Sequence, residues 1–304
     1  MFDYLNHVND LFPVRRTKEQ KENFRKYALD EAKKLGIDAK VETIKEHNNV
    51  VIGNPETAKV IFTAHYDTPA ASLFPNLMMP RNRILAYLYV FGYPIIISLL
   101  SLAVSYGIVK LCNLPFELTA VIFIVLYLGS FYLMTRAFTN KHNKNDNTSG
   151  VASILSLMAE NKGKDVAYIL FDNEEKGLLG SKTYNKEHKN ILENKLVINL
   201  DCVGYGNNLI FISKKDAETH EYYQLLKDSV LETNEYSVNF FNTKGSMSNS
   251  DYKSFKCGIG LMTCGKKKLV GFVTPRIHTK RDTIADSKNI EFITTNLTVF
   301  INKI

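Results

Sequence analysis

Two stretches of this chain cannot sit in water as isolated segments. From Ile84 to Val109 there is no charged residue and from Leu118 to Thr135 again none, with only Lys110 and Glu117 between the two runs. Each run reaches the roughly 17–25 apolar residues that a helix needs to cross a bilayer. The short link NLPFE turns them into a helical hairpin. Arg81 and Arg83 precede the first run, and Arg136, Lys141 and Lys144 follow the second, so both outer ends are positive. The positive-inside bias then predicts a protein of the cell membrane with both ends, and the domain they carry, on the cytoplasmic side. The alternative is a soluble cytoplasmic protein whose hairpin packs on its own domain or on a second subunit. Gly92 and Pro94 are tolerated in either setting. Residues 84–136 are thus expected to be an insertion, with 1–83 and 137–304 forming one domain around it.

That remainder alternates between helical and strand patterns. Thr17 and Gln20 have capping-box spacing before a helix predicted to reach about Leu35 and stop at Gly36, with Phe24, Tyr27, Ala28 and Ala32 on its buried face. β-like runs follow at 39–43 and 49–52, and the strand KVIFTAH ends at His65. Beyond the insertion, a helix starts at Thr148 or Ser149 with Val151, Ile154, Leu155 and Met158 inward. The strands DVAYILFD, KLVINLD and LIFIS, a helix from about Asp216 to Thr233, a strand near 237–241 and the strand GIGLMTC complete the series. Such alternation implies a layered α/β domain with a mostly parallel sheet.

Composition narrows the partners. With 45% hydrophobic and 23% charged residues the chain is not disordered, and its net charge of +7 suits an anionic membrane surface. The lysines are scattered and no nucleic-acid motif is present, so nucleic acid is not an expected partner. The run Lys266–Lys268 reads as a solvated loop, or one facing phospholipid head groups. Cys112, Cys202, Cys257 and Cys264 form no CxxC pair, which fits a reducing compartment. The segment MFDYLNHVNDLFPVRR lacks the apolar core of a signal peptide.

The chemistry lies at strand ends. His65 and Asp67 close the first long strand, Glu174 and Glu175 follow VAYILFD, and Asp201 closes KLVINLD. Ligands of open α/β sheets bind beyond the carboxyl ends of the strands, so these side chains are expected in one crevice. Asp146 opens the helix after the insertion, and His278 lies in the loop RIHTKRDT. Two imidazoles with several carboxylates and no thiolate form the donor set of a hydrolytic dizinc site, where a shared carboxylate holds the ions roughly 3.5–4 Å apart with a hydroxide between them. Three ligand carboxylates against two Zn²⁺ leave about one positive unit, which that hydroxide cancels. Neighbours on an extended chain point to opposite sides, so Glu174 and Glu175 are expected to do different jobs, one ligating and one acting as base. His142 and Asp172, beside these motifs, read as surface residues.

TAHYDT, NDNTSG, DNEEKGLLGSK, NLDCVG, SDYKSF and IHTKRDT, in this order, resemble the motifs of the co-catalytic dizinc aminopeptidase family, whose members and relatives include bacterial leucyl aminopeptidases, glutamate carboxypeptidases, glutaminyl cyclases and transferrin-receptor ectodomains. The resemblance covers nearly the whole chain except the hairpin. It implies a three-layer α/β/α fold of zinc-exopeptidase type with a central, mostly parallel mixed sheet. It further implies that His65 and Asp201 bind one zinc and Glu175 and His278 the other, that Asp146 bridges them, and that Glu174 is the general base. Asp67 would accept the second ring N–H of His65, and the bond after Asp146 would be cis. The family often has His where this chain has Tyr252, so Tyr252 and Asp251 are candidates for substrate or oxyanion contact only.

The implied activity is that of a metallo-exopeptidase, an aminopeptidase acting on peptides with a free amino terminus through a hydroxide shared by two Zn²⁺, with Co²⁺ or Mn²⁺ as substitutes. One alternative is a single-zinc acyltransferase of glutaminyl cyclase type, although such sites are typically lined by Trp and this chain has none. The other is a non-catalytic membrane scaffold of the same fold, although such relatives have usually lost ligands that are all present here. Peptides delivered at the bilayer, such as fragments of membrane or signal sequences, are the substrates the hairpin would favour.

Overall fold

A computed structural model describes residues 2–74 and 76–304. The chain begins with helices α1 (Tyr4–Leu11) and α2 (Lys18–Lys34). The expected capping box on α2 is present, with Thr17 and Gln20 exchanging hydrogen bonds, and Gly36 takes the left-handed conformation that ends the segment. Strands β1 (Ala39–Ile44) and β2 (His47–Ile52) form an antiparallel hairpin, and β3 (Val60–His65) follows. Two-residue strands β4 (Ala70–Ala71) and β5 (Leu77–Met78) lead to helices α3 (Arg83–Leu111) and α4 (Leu118–Thr135). After β6 (Phe138–Thr139) come α5 (Gly150–Glu160), β7 (Val166–Phe171), α6 (Leu179–Glu187), α7 (Lys189–Leu192), β8 (Leu196–Leu200) and β9 (Asn208–Ser213). The chain closes with α8 (Lys215–Glu218), α9 (Glu221–Ser229), β10 (Ser237–Asn242), β11 (Gly258–Lys267), β12 (Gly271–Pro275) and α10 (Ser287–Ile301).

The main sheet is mixed, in the order β1-β2-β7-β3-β8-β11-β12-β5, with β9 also paired to β11 and β10 to β9; the β7-β3-β8-β11 centre and the β9–β10 pair are parallel and the other pairs antiparallel. Strands β7, β3 and β8 are parallel neighbours, so their carboxyl ends emerge side by side. Alternate strand residues supply two cores, as period-two geometry requires. Val60, Phe62 and Ala64 of β3 face α1, α2, α5 and α10, while Ile61 with Ile169 and Val197 faces Tyr184 of α6 and Phe255. This is the expected three-layer arrangement. The single helix expected from about Asp216 to Thr233 is instead two, α8 and α9. The ring of His220 accepts the amide of Tyr222 and restarts the helix after a break.

The two uncharged runs form long helices. Their mean hydropathies are 1.9 and 2.0, and only 17% and 6% of their most apolar windows are buried. Ile97, Ser101, Ser105 and Val109, four residues apart, make a buried stripe on α3 with two small side chains at its middle, and Thr119 is the buried residue of α4. Leu99, Leu100, Val125 and Leu128 point outward and are more than half exposed. Small residues between helices with large apolar ones outside is the pattern of bilayer helices, since lipid gives no reason to hide Leu.

Candidate active site

Three strand ends and two loops meet over the middle of the sheet. His65 ends β3, and Asp201 follows the end of β8. Glu174 and Glu175 lie just past β7, but not on extended chain: Asn173 takes a left-handed conformation (φ 55°) and the acidic pair opens a short 3-10 turn. The expectation that they point apart because a strand alternates is therefore corrected. Both carboxylates come within 4.8 Å of His65, and the turn, not a pleat, sets their directions.

Asp146 lies at the amino end of α5, and its peptide bond to Asn147 is cis. The Asn147 side chain ties this corner to β8, donating to the carbonyl of Leu200 (3.0 Å) and accepting the amides of Gly150 (3.0 Å) and Cys202 (3.2 Å). A Cβ on Gly150 would stand 2.4 Å from the Leu200 carbonyl, so this approach requires glycine. The Oδ1 of Asp146 lies 3.3 Å from His65 Nε2, and its Oδ2 lies 2.8 Å from His278 Nε2. Asp201 Oδ1 is 3.8 Å from His65 Nε2, and Glu175 Oε1 is 3.5 Å from His278 Nε2. Three close groups of donors result, His65–Asp146–Asp201 and Asp146–Glu175–His278, which share Asp146, and His65–Glu174–Glu175, which brings Glu174 beside them.

Two of the oxygens aimed at these groups lack a hydrogen-bond partner among the described residues. Glu175 Oε1 and Asp201 Oδ1 are buried without a hydrogen bond, whereas Asp201 Oδ2 accepts from Ser250 Oγ at 2.6 Å. Buried carboxylate oxygens are normally satisfied, so oxygens left free beside imidazoles fit divalent cations. The electrostatics agree. Burial pushes Glu175 up to about 8 against the pull of His278, and burial raises Glu174 strongly, with Glu175, Asp251 and Asp201 adding to it. Burial opposes protonation of His278, yet Glu175 and Asp146 lift it to about 10. A site that crowds so many acids around two imidazoles, with Arg15 the buried cation behind Asp67 and Asp146, is arranged to receive further positive charge.

Asp67 differs from its expected role. His65 Nδ1 meets the backbone carbonyl of Asp67 at 3.1 Å, while the Asp67 carboxylate stands 3.6 Å away. That carboxylate instead accepts the amides of Glu174 (3.0 Å) and Glu175 (3.3 Å). Tyr252 is fully buried; its ring packs on Gly260 and its hydroxyl points to the Ser248 carbonyl at 3.5 Å, so it does not line the cleft as a substrate or oxyanion contact. Asp251 is buried with neither carboxylate oxygen bonded, and burial raises it to about 7. It too is absent from the cleft lining. His142 is exposed as expected. Asp172 is not: it is 2% exposed and bound to Lys21 Nζ at 2.6 Å.

Several supporting groups escaped the sequence reading. Asp282 accepts the amides of Asn145 (3.1 Å) and Asp146 (2.9 Å), and its place inside IHTKRDT was the available signal. Ser250 had the same signal, inside SDYKSF. Lys21 also reaches Asn173 Oδ1 at 2.8 Å, and buried Arg15 donates to the carbonyl of Phe12 (2.6 Å) and to Thr148 Oγ1 (3.1 Å). Nothing local marks either cation, because their partners are remote in sequence.

Comparison with known proteins shows the family and the fold. Residues 139–300, more than half of the chain, match Peptidase family M28. No curated protein matches the chain by sequence. Among solved structures, the LapA aminopeptidase of Legionella pneumophila superposes with a TM-score of 0.58 at 13% identity, over 98% of this chain and 69% of that one. A glutaminyl cyclase of Porphyromonas gingivalis gives 0.61 at 15%, over 99% and 96%. BSAP, a zinc aminopeptidase from Bacillus subtilis, gives 0.50 at 17%, over 84% and 50%. At these identities the likeness is one of fold. His65 lies outside the family match and joins the site through β3.

Proposed function

This chain belongs to peptidase family M28, and from that membership we propose that it is a zinc-dependent aminopeptidase, held at a membrane by its hairpin, that removes the first residue of peptides with a free amino terminus. The observation that carries this reading is Asp146, whose two oxygens face His65 and His278 at 3.3 and 2.8 Å. His65 and Asp201 would hold one zinc ion, Glu175 and His278 the other, and Asp146 both, with Co²⁺ or Mn²⁺ acceptable to the same nitrogen and oxygen donors. Bound ions would polarise the scissile carbonyl and lower the pKa of the attacking water.

The protein's own groups do the rest. Glu174, outside the ligand set, takes the proton of the attacking water and returns it to the departing amine nitrogen. Burial and the neighbouring acids raise Glu174 in the ion-free protein, and two bound cations would draw it back towards the carboxylate that accepts a proton. Asp67 aims Glu174 by gripping its amide. Glu174 lies outside the ligand set, so its charge is not cancelled by two Zn²⁺ and the hydroxide, and it favours an ammonium group, hence a free amino terminus, at this end of the cleft. The test is Glu174→Gln in the full chain, assayed on aminoacyl-coumarin substrates with zinc counted by elemental analysis. Turnover is expected to fall about 10²–10⁴-fold with two ions retained; full activity would overturn the assignment.

The fold shared with glutaminyl cyclases supports a second reading, cyclisation of amino-terminal glutamine. Ammonia released from such peptides, with no free amino acid, would favour it.

A further inference from the structure

The residues that could hold zinc line a cleft of about 800 Å³ that does not stop at them. The same space is walled by Ala86, Tyr89, Val90, Tyr93, Phe131 and Thr135 of the hairpin. Tyr93 and Phe131 stack across the two helices with ring centroids 6.4 Å apart and planes 10° apart, and Phe74 approaches Tyr93 at 5.0 Å. The two residues after β4 fasten this wall to the site, since the Ser72 amide donates to the carbonyl of His278 at 2.6 Å and the Leu73 amide to the carbonyl of Met134 of α4 at 2.9 Å.

Helix length bears on the depth of this wall. The 29 residues of α3 extend about 43 Å, against roughly 30 Å for a hydrocarbon core, so an upright α3 crossing a bilayer would leave about 13 Å outside the lipid. The α4 helix, with 18 residues, measures about 27 Å and has no surplus. The cleft-facing residues of α3, close to its amino end, would then lie at or near the membrane interface, where Tyr is favoured and where Arg81, Arg83 and Arg136 would meet lipid head groups.

We infer that the substrates are peptides or protein amino-terminal segments with an apolar stretch resting in the membrane interface. The free amino group sits at the carboxylate cluster and the apolar residues lie along Tyr89, Tyr93 and Phe131. This rests on the aminopeptidase reading and names its substrate class; the hairpin is then a binding wall as well as an anchor.

The test uses the full-length Glu174→Gln chain in phosphatidylcholine–phosphatidylglycerol nanodiscs and two fluorescent peptides with the same amino-terminal residue, one with a leucine-rich tail and one with a serine-rich tail. The readout is the ratio of their dissociation constants, after subtracting binding to nanodiscs without protein. A preference of about tenfold or more for the apolar tail is expected, falling towards one in the added Tyr93→Ala, Phe131→Ala pair and persisting with Leu99→Ala on the outer face. A ratio near one before any hairpin change, or one that survives the Tyr93/Phe131 pair, overturns the inference. Because binding is read without turnover, failure of the aminopeptidase assignment shows separately, as inactivity of the Glu174 enzyme on both peptides.

Discussion

The Oδ1 of Asp67 lies 3.0 Å from the amide nitrogen of Glu174, and its other oxygen takes the amide of Glu175. One buried carboxylate thus fixes the turn that separates the two acids. Asp67→Ala removes both acceptors while leaving every proposed ligand in place. We expect kcat to fall about 10–100-fold with zinc content preserved. Wild-type kcat would show that the turn holds its shape without Asp67.

Arg15 links the amino-terminal segment to the corner that carries Asp146, through Phe12 and Thr148. It is 0% exposed, and burial lowers its pKa to about 10 against the opposing pull of Asp67 and Asp146. Arg15→Met leaves those acids without their buried cation, and such losses cost about 3–5 kcal/mol. Urea midpoints should register the change; an unaltered midpoint would mean that the cation contributes nothing.

Protons should substitute for metal in the ion-free protein. Glu175 is raised to about 8 by burial, despite His278, and His278 to about 10 by Glu175 and Asp146, despite burial. Between the unfolded values, near 4.5 and 6.5, and these folded values, the native state holds protons that the unfolded chain has released. Stability therefore falls as pH rises through both windows. After chelation, the melting temperature should be higher at pH 6 than at pH 9, and zinc should remove much of that gap. A chelated protein that melts higher at pH 9 would contradict the burial of Glu175 and the pairing of His278 with its acids.

The hairpin predicts retention in the membrane. Full-length protein should stay in the pellet after alkaline carbonate extraction, because lipid would cover the outward Leu99, Leu100, Val125 and Leu128. Release into the supernatant would instead point to a soluble or peripheral hairpin.

Much of this was legible in the chain. The apolar runs, the capping box at Thr17 and the strand ends at His65 and Asp201 are local patterns, and the structure reproduces them. What escaped depended on distant partners. Asp172 looks like a surface acid until Lys21 of α2 reaches it at 2.6 Å. Tyr252 looked available to substrate because its neighbours form a motif, yet packing on Gly260 buries it. The role of Asp67 turned on about half an ångström between a carbonyl and a carboxylate beside one ring nitrogen. Composition carries no such information.

Zinc-edge anomalous diffraction from crystals of the full chain grown with zinc is the most direct test. Two peaks are expected, one touching His65 and Asp201, the other Glu175 and His278, both touching Asp146, with Glu174 bound to neither. A single peak, or none among these residues, would contradict the two-ion site.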